Sequence, residues 1–160
     1  MHWLDQYFVA LSHIGSSGLV WLIVAALAAL LWRRPSIILF VVSGYLITAW
    51  ASLGLRQAIG RERPPHRFPD PPPLVHVPVS DSFPSGHAAT SFACAALLAW
   101  LTPLPKVPLF ALAALIAFSR VYNGVHYPLD VVGGAALGLA VATALRLLAE
   151  ARRRSDPAPQ

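Results

Sequence analysis

The stretch from Leu129 to Leu148 reads LDVVGGAALGLAVATALRLL, with charged residues only near its two ends. A bilayer core about 30 Å thick is crossed by an α-helix of about 20 mostly apolar residues. The stretch therefore predicts a membrane-spanning helix. Four further stretches qualify or nearly do, at residues 16–32, 35–55, 85–102 and 105–121. Together they predict an all-α integral membrane protein, a bundle of about five transmembrane helices.

The composition also indicates lipid surroundings. Of the 160 residues, 56% are hydrophobic and only 12% are charged, whereas a soluble domain carries roughly 25% charged residues. These values exclude a disordered chain, and the single Cys94 excludes an internal disulfide. A net charge of +5 would normally suggest nucleic acid as a partner. Because the basic residues lie at the ends of apolar stretches, we expect membrane lipids and no nucleic acid as partners.

The chain is too short for two ordinary domains, so we expect one membrane-embedded domain over residues 1–160. Residues 1–14 carry apolar and polar side chains on opposite sides at helical spacing, with Ser12 on the polar side, which predicts an amphipathic helix in the membrane interface. Eight prolines between Pro64 and Pro84 predict a loop, and we expect residues 56–84 to form an active-site loop. Residues 152–160 are polar and predict a frayed tail.

Alternation of the five predicted spans brings four of their ends to one face of the membrane. Ionisable groups bordering a membrane cost free energy, so a cluster of them there predicts a functional site. Arginine forks match phosphate oxygens, and the free N–H groups of a helix start favour an anion. These ends therefore predict a phosphate-binding site, and they carry Arg56, Arg63, Ser85, Gly86, His87, Arg120, His126 and Asp130.

The basic residues divide between the two predicted membrane sides. Seven lie on the side without the site, namely Arg33, Arg34, Lys106, Arg146, Arg152, Arg153 and Arg154, and five lie on the other, namely Arg56, Arg61, Arg63, Arg67 and Arg120. Basic residues in short loops favour the cytoplasmic side. We therefore expect a plasma or inner membrane protein whose site is on the extracytoplasmic face, with Arg61 and Arg67 supporting the site or contacting headgroups.

Three motifs follow one another along the chain. They read Arg56-x6-Arg63-Pro64, then Pro84-Ser85-Gly86-His87, then Ser119-Arg120-x5-His126-x3-Asp130. The chain thereby resembles the type 2 phosphatidic acid phosphatase superfamily, which includes vanadium haloperoxidases and has the motifs K-x6-R-P, P-S-G-H and S-R-x5-H-x3-D. The second and third motifs match in full. The first has Arg56 in place of lysine, so a planar guanidinium replaces a compact ammonium group.

The resemblance implies a phosphoric ester or diphosphate hydrolase with a defined set of site residues. His126 would be the nucleophile that forms a phosphohistidine, Asp130 would orient it, and His87 would transfer protons. The substrate phosphate would be bound by Arg56, Arg63, Ser85, Gly86 and Arg120. The scheme needs neither a metal nor another cofactor, and the chain has no acidic cluster or Cys/His set with metal-ligand spacing.

The sequence does not identify the substrate, and it is compatible with two other functions. The implied substrate is a lipid phosphate or diphosphate, either undecaprenyl diphosphate or a glycerophospholipid such as phosphatidate or phosphatidylglycerophosphate. A non-catalytic protein that binds lipid phosphates is one alternative, and Arg56 is the only feature in its favour. A vanadate-dependent haloperoxidase is the other, although those relatives are soluble. Nothing in the sequence indicates an oligomeric state.

Overall fold

The structure is a computed structural model that describes residues 2–16 and 18–155. The described residues form seven helices and no strand. The helices are α1 (Trp3–Ser16), α2 (Leu19–Leu31), α3 (Ser36–Ile59), α4 (Pro64–Arg67), α5 (Gly86–Leu101), α6 (Lys106–Tyr122) and α7 (Pro128–Ser155). The predicted all-α class is confirmed.

Five of these helices, α2, α3, α5, α6 and α7, lie at the positions of the five predicted spans. Two segments, Ser36–Arg67 and Pro128–Ser155, are long and apolar enough to cross a bilayer by themselves. Helices α1 and α2 meet at an angle of 62° and would provide a third crossing if counted as one broken span. Helix α5 is apolar but has only 16 residues. The number of five spans therefore stays a prediction.

Helix α5 is the centre of the bundle and packs against α3, α6 and α7. Its closest partner is α7, which crosses it at two glycines. A Cβ atom added to Gly134 would collide with the carbonyl oxygen of Ser85, and one added to Gly138 would collide with that of Ala89. Small residues at such crossings let two helix backbones approach closely. The two glycines therefore bring the first turn of α7 against the start of α5.

The two ends of the bundle are different. At one end, Arg34 donates a hydrogen bond of 3.3 Å to the carbonyl oxygen of Leu101, so the α2–α3 turn lies beside the last turn of α5. At the opposite end, the backbone N–H of Ser85 donates to the carbonyl oxygen of Asp130 at 2.9 Å. This second end gathers the end of α3, the starts of α5 and α7, and the end of α6.

Helix α1 confirms the predicted N-terminal helix and adds a contact that its pattern did not predict. Ser12, on the predicted polar side, is buried and accepts a hydrogen bond from Arg120. Tyr122 donates to the carboxylate of Asp5 at 2.9 Å, and the rings of Phe8 and Tyr122 lie 4.2 Å apart. The face of α1 that carries Asp5, Phe8 and Ser12 is therefore packed against the end of α6.

Two predicted boundaries differ from the structure. Residues 56–59 belong to α3 rather than to the predicted loop 56–84, because the helix ends at Gly60, whose φ of 64° is easily adopted by glycine. Residues 152–155 continue α7 rather than forming a frayed tail. Residues 156–160 of the predicted tail lie outside the described residues.

Candidate active site

A pocket of about 260 Å³ opens at the end of the bundle where α3, α5, α6 and α7 meet. Six of the predicted site residues line it, namely Arg56, Arg63, Gly86, His87, Arg120 and His126. The other two, Ser85 and Asp130, are fully buried and are not among the lining residues. The lining also includes Gly15 and Ser16 of α1 and Tyr45 of α3. The structure thus brings the predicted residues together in and directly behind one pocket.

Arg63 is held by the loop between α4 and α5 and by the α6–α7 connection. Its guanidinium donates to the carbonyl oxygens of Ser80 at 2.7 Å, Val125 at 2.9 Å and Asp81 at 3.1 Å. Burial, and next the neighbouring Arg56 cation, lower the pKa of Arg63 to about 10. The group is still protonated at neutral pH, so it supplies a fixed positive charge to the pocket.

Arg56 uses its planar fork to bridge α3 and the loop that follows. Nε donates to the carbonyl oxygen of Ser52 at 3.2 Å, Nη2 to the Ser52 hydroxyl at 3.1 Å, and Nη1 to the Ser80 hydroxyl at 3.0 Å. The same Ser80 oxygen accepts from Arg63 at 3.3 Å. A Cβ atom on Gly86 would lie 2.8 Å from Arg56 Nη2, so the glycine leaves room for the guanidinium at the start of α5.

His126 follows α6 and is 4% exposed. Its Nε2 lies 3.0 Å from Nη1 of Arg63. Because an arginine only donates hydrogen bonds, Nε2 is the acceptor and we assign the ring proton to Nδ1. Burial lowers the pKa of His126 from 6.5 to about 4, against the opposing effect of Asp130. The ring is therefore neutral at pH 7, with the lone pair of Nε2 facing Arg63.

Asp130 lies in the first turn of α7 and has no exposed surface. Oδ1 accepts from Arg61 at 2.9 Å, while Oδ2 accepts from the Ser82 hydroxyl at 2.5 Å and from the backbone N–H of Tyr127 at 2.9 Å. His126 Nδ1 is 3.4 Å from Oδ2. The Arg61 guanidinium also lies over the Tyr127 ring, 4.3 Å from its centre. Arg61 thus supports the site, as the sequence predicted.

Several buried polar atoms in and beside the pocket have no hydrogen-bond partner among the described residues. They include Nε2 of His87, Nε of Arg120 and the hydroxyl oxygen of Ser85. Buried polar groups are normally paired, so these free donors and acceptors suit a polar ligand. Three guanidinium groups and the start of α5 surround the space, which favours a tetrahedral anion.

Four serines of the site carry no signal in the sequence. Ser12, Ser52, Ser80 and Ser82 contact Arg120, Arg56, Arg63 or Asp130. None belongs to the three motifs. Ser52 lies one turn before Arg56 on the same helix, whereas the contacts of Ser12, Ser80 and Ser82 depend on how α1 and the loop before α5 fold back over the pocket. Ser82 lies two residues before Pro84 of the second motif, and this proximity is the one feature that hints at it.

The pocket places a neutral imidazole beside several cations, an arrangement that suits the binding of an anion. None of the residues lining it is a carboxylate, and in the described part of the chain no three His, Cys, Asp or Glu residues are grouped so as to hold a metal ion. A neutral imidazole beside several arginines can bind a phosphate and attack its phosphorus atom.

Known proteins are similar to this chain in sequence and in fold. The family model of the PAP2 superfamily matches residues 36–154. The decaprenylphosphoryl-5-phosphoribose phosphatase of Mycolicibacterium smegmatis is 41% identical over 127 residues, which are 78% of this chain and 68% of that protein. The crystal structure of the transmembrane PAP2-type phosphatidylglycerolphosphate phosphatase from Bacillus subtilis aligns with a TM-score of 0.76 and 29% identity over 98% of this chain and 81% of that one.

A second crystal structure, that of Aquifex aeolicus LpxE, aligns with a TM-score of 0.77 and 27% identity over 92% of this chain and 88% of that one. The segment matched by the family model contains all three motifs found in the sequence. The resemblance is therefore confirmed: this integral membrane protein belongs to the PAP2 superfamily.

Proposed function

We propose that this protein is a lipid phosphatase that hydrolyses a lipid phosphomonoester or diphosphate through a phosphohistidine on His126. The observation that carries the proposal is the neutral His126 ring, whose Nε2 lone pair lies 3.0 Å from Arg63 in a pocket lined by Arg56 and Arg120. The relatives named above are phosphatases of a prenyl phosphoribose and of phosphatidylglycerolphosphate, which supports a lipid substrate.

In the first step the substrate phosphate displaces the Arg63–His126 contact and binds to the guanidinium groups. Nε2 of His126 attacks phosphorus, an N–P bond forms, and the bond from phosphorus to the lipid oxygen breaks. His87 takes up a proton as the anionic phosphate binds beside it, and gives that proton to the leaving oxygen. Asp130 stabilises the positive charge that develops on the His126 ring. The arginines stabilise the charge on the non-bridging phosphate oxygens.

In the second step the phosphohistidine is hydrolysed. His87, now neutral, accepts a proton from a water molecule, whose oxygen attacks phosphorus. The N–P bond breaks, inorganic phosphate leaves, and the lone pair returns to Nε2 of His126. The arginines supply the charge stabilisation that a metal would otherwise provide, so we propose a metal-independent reaction.

The position of the pocket suits a substrate with a lipid tail. Its polar floor carries Arg63 and His126, whereas Gly15, Tyr45 and Ala49 on α1 and α3 form its less polar side. We propose that the headgroup enters the arginine-lined floor while the tail stays in the bilayer, on the extracytoplasmic face. Prenyl diphosphates, prenyl phosphosugars and glycerophospholipid phosphates all meet this description.

The test is phosphate release by the purified protein in detergent, in the presence of EDTA. The substrates are undecaprenyl diphosphate, phosphatidate, phosphatidylglycerophosphate and a prenylphosphoryl phosphoribose. We expect release from at least one of them, and we expect His126→Ala to abolish it. His66→Ala is the matched control, because His66 is exposed on α4 outside the pocket, and it should keep wild-type turnover.

Other results would contradict the proposal. Full turnover by His126→Ala would show that His126 is not the nucleophile. Dependence of phosphate release on a divalent cation would contradict the metal-independent reaction. Binding of lipid phosphates without any release would indicate a non-catalytic binding protein. Oxidation of bromide that requires added vanadate would indicate a haloperoxidase.

A further inference from the structure

We infer that Ser82 is a positioning residue for the His126–Asp130 pair, an inference that rests on the proposed function. Ser82 lies outside all three motifs and is fully buried. Its hydroxyl oxygen lies 2.5 Å from Oδ2 of Asp130 and 3.5 Å from Nδ1 of His126. It is thus placed against both members of the pair.

The positions of the protons give Ser82 a defined role. Nε2 of His126 accepts from Arg63, so Nδ1 carries the ring proton. An ionised carboxylate only accepts, so the Ser82 hydroxyl donates its one proton to Asp130. The lone pairs of the Ser82 oxygen are then available to Nδ1–H. This proton is shared between Asp130 Oδ2 at 3.4 Å and Ser82 Oγ at 3.5 Å.

Both distances are long for hydrogen bonds, and the reaction explains why they matter. When the N–P bond forms at Nε2, the ring becomes cationic and Nδ1–H becomes a stronger donor. Contacts of this kind often shorten only in the complex with substrate or transition state. Ser82 therefore acts when the charge develops on His126.

The backbone around Ser82 fixes this arrangement. The N–H of Ser82 donates to the carbonyl oxygen of Arg61 at 2.7 Å, and the guanidinium of Arg61 donates to Oδ1 of Asp130 at 2.9 Å. One residue thus holds both Ser82 and the opposite oxygen of the carboxylate. Without the Ser82 hydroxyl, Oδ2 keeps the Tyr127 N–H as its close donor and loses the donor that lies beside His126, so the carboxylate is held less firmly towards Nδ1.

Ser80 provides a matched control, because it is also a serine of the same loop but contacts different groups. Its hydroxyl accepts from Arg56 and Arg63, which hold the substrate phosphate in the proposed reaction. Loss of the Ser80 hydroxyl is expected to raise KM. Loss of the Ser82 hydroxyl is expected to lower kcat, because its partner His126 changes charge only during the reaction.

The first experiment compares Ser82→Ala and Ser80→Ala in the phosphate-release assay. For Ser82→Ala we expect kcat to fall about 10- to 100-fold, the effect of losing a hydrogen bond to a charged group, with KM within about 2-fold of wild type. In an Asp130→Asn background, Ser82→Ala should cost less than about 3-fold, because the two residues act together. An equal loss in both backgrounds, a change in KM alone, or unchanged kcat would overturn the inference.

A second variant covers the case in which Ser82→Ala does not fold. Ser82→Cys keeps the shape of the side chain and a weak donor, and its kcat should fall between those of wild type and Asp130→Asn. Wild-type kcat in a folded Ser82→Cys protein would overturn the positioning role.

A second readout does not depend on turnover. In the proton NMR spectrum, the Nδ1–H signal of His126 is identified by its absence in His126→Gln. We expect this proton to exchange with water faster in Ser82→Ala than in wild type, and equal exchange would overturn the inference. If the wild-type protein releases no phosphate from any substrate, the proposed function fails, and this exchange rate still decides whether Ser82 positions His126.

Discussion

Arg63 affects the neighbouring His126 in two ways. Its guanidinium donates to Nε2 of His126 and so directs the ring proton to Nδ1, and its positive charge, together with burial, keeps the ring neutral. In the proposed reaction, both effects prepare Nε2 as the nucleophile before any substrate is present. In that proposal, a phosphate that binds Arg63 takes over this guanidinium and leaves the Nε2 lone pair free to attack phosphorus.

The lowered pKa of His126 predicts a specific titration. Its ordinary pKa is 6.5 and its pKa in the folded protein is about 4, so the ring should stay neutral from pH 7 down to about pH 5. Histidine NMR of the purified protein in detergent measures this directly. Because the unfolded chain binds this proton already below pH 6.5, the contribution of His126 to the free energy of unfolding should rise with pH between 4 and 6.5.

Two variants test whether the charge of Arg63 contributes to the lowered pKa of His126. Arg63→Gln removes a neighbouring cation and should move the His126 midpoint upward. Arg67→Gln, at an exposed residue of α4 over the Phe68 ring, should leave it unchanged. If His126 of the wild-type protein titrated with a midpoint near pH 6.5, this would contradict a buried ring that is neutral.

At the level of helices, the contact between α5 and α7 positions the half of the site that lies at the starts of these two helices. Helix α5 carries Gly86 and His87 in its first turn, and α7 carries Asp130 in its first turn. Their starts are joined by the hydrogen bond from Ser85 N–H to the Asp130 carbonyl oxygen. The crossing at Gly134 and Gly138 therefore sets the distance between the two groups of site residues.

Gly138→Ala tests this crossing. The added methyl group would collide with the carbonyl oxygen of Ala89, and backbone cannot move aside as a flexible side chain does. We expect a lower melting temperature in detergent, corresponding to about 1–3 kcal/mol for an overpacked contact. Gly54→Ala is the control, because nothing lies within 4 Å of its added Cβ. An equal or higher melting temperature for Gly138→Ala would contradict the close crossing.

Helix α1 is the second element with a testable role, since Gly15 lines the pocket. A Cβ atom there would collide with Ile116 and lie 3.3 Å from Cδ2 of His87. Gly15→Val should therefore displace His87 and lower kcat/KM about 100-fold, as expected for a catalytic group moved by about 1 Å. Ala10→Val, at an exposed position of the same helix, should keep wild-type kcat/KM. Equal activity of the two variants would show that α1 is not part of the site.

For the whole molecule, the fold places seven basic residues away from the pocket and five at or near it. The first group follows the rule for cytoplasmic loops, while three of the second group, Arg56, Arg63 and Arg120, line the pocket. Arg61 binds Asp130. Apart from Arg67, the arginines of the second group are therefore accounted for by their contacts in and beside the pocket, which favours the proposed extracytoplasmic position of the pocket.

Cysteine labelling in intact cells tests this orientation. Val79 is fully exposed in the loop before α5, at the end of the bundle that holds the pocket, whereas Lys106 is exposed at the start of α6, at the other end. A membrane-impermeant maleimide should label Val79→Cys in intact cells and Lys106→Cys only after lysis. The native Cys94 is buried and should not react. The reverse pattern would place the pocket on the cytoplasmic side.

The all-α class and the approximate positions of the long helices could be predicted from the sequence, because lipid requires continuous apolar helices of a fixed minimum length. The convergence of Arg63, His126 and Asp130 followed from the alternation of helices and from three motifs. The end of α3 at Ile59 and the helical state of residues 152–155 were missed, since helix ends depend on local capping that hydropathy does not report.

The sequence by itself determined the kind of protein, its family and the residues that meet at one membrane face, because these depend on local hydropathy and on motif spacing. Only the tertiary structure decided how those residues are held. Ser12, Ser80 and Ser82 reach Arg120, Arg63 and Asp130 across separations of 108, 17 and 48 residues. Such contacts depend on how α1 and the loop before α5 pack over the bundle, and no periodicity along the chain encodes them.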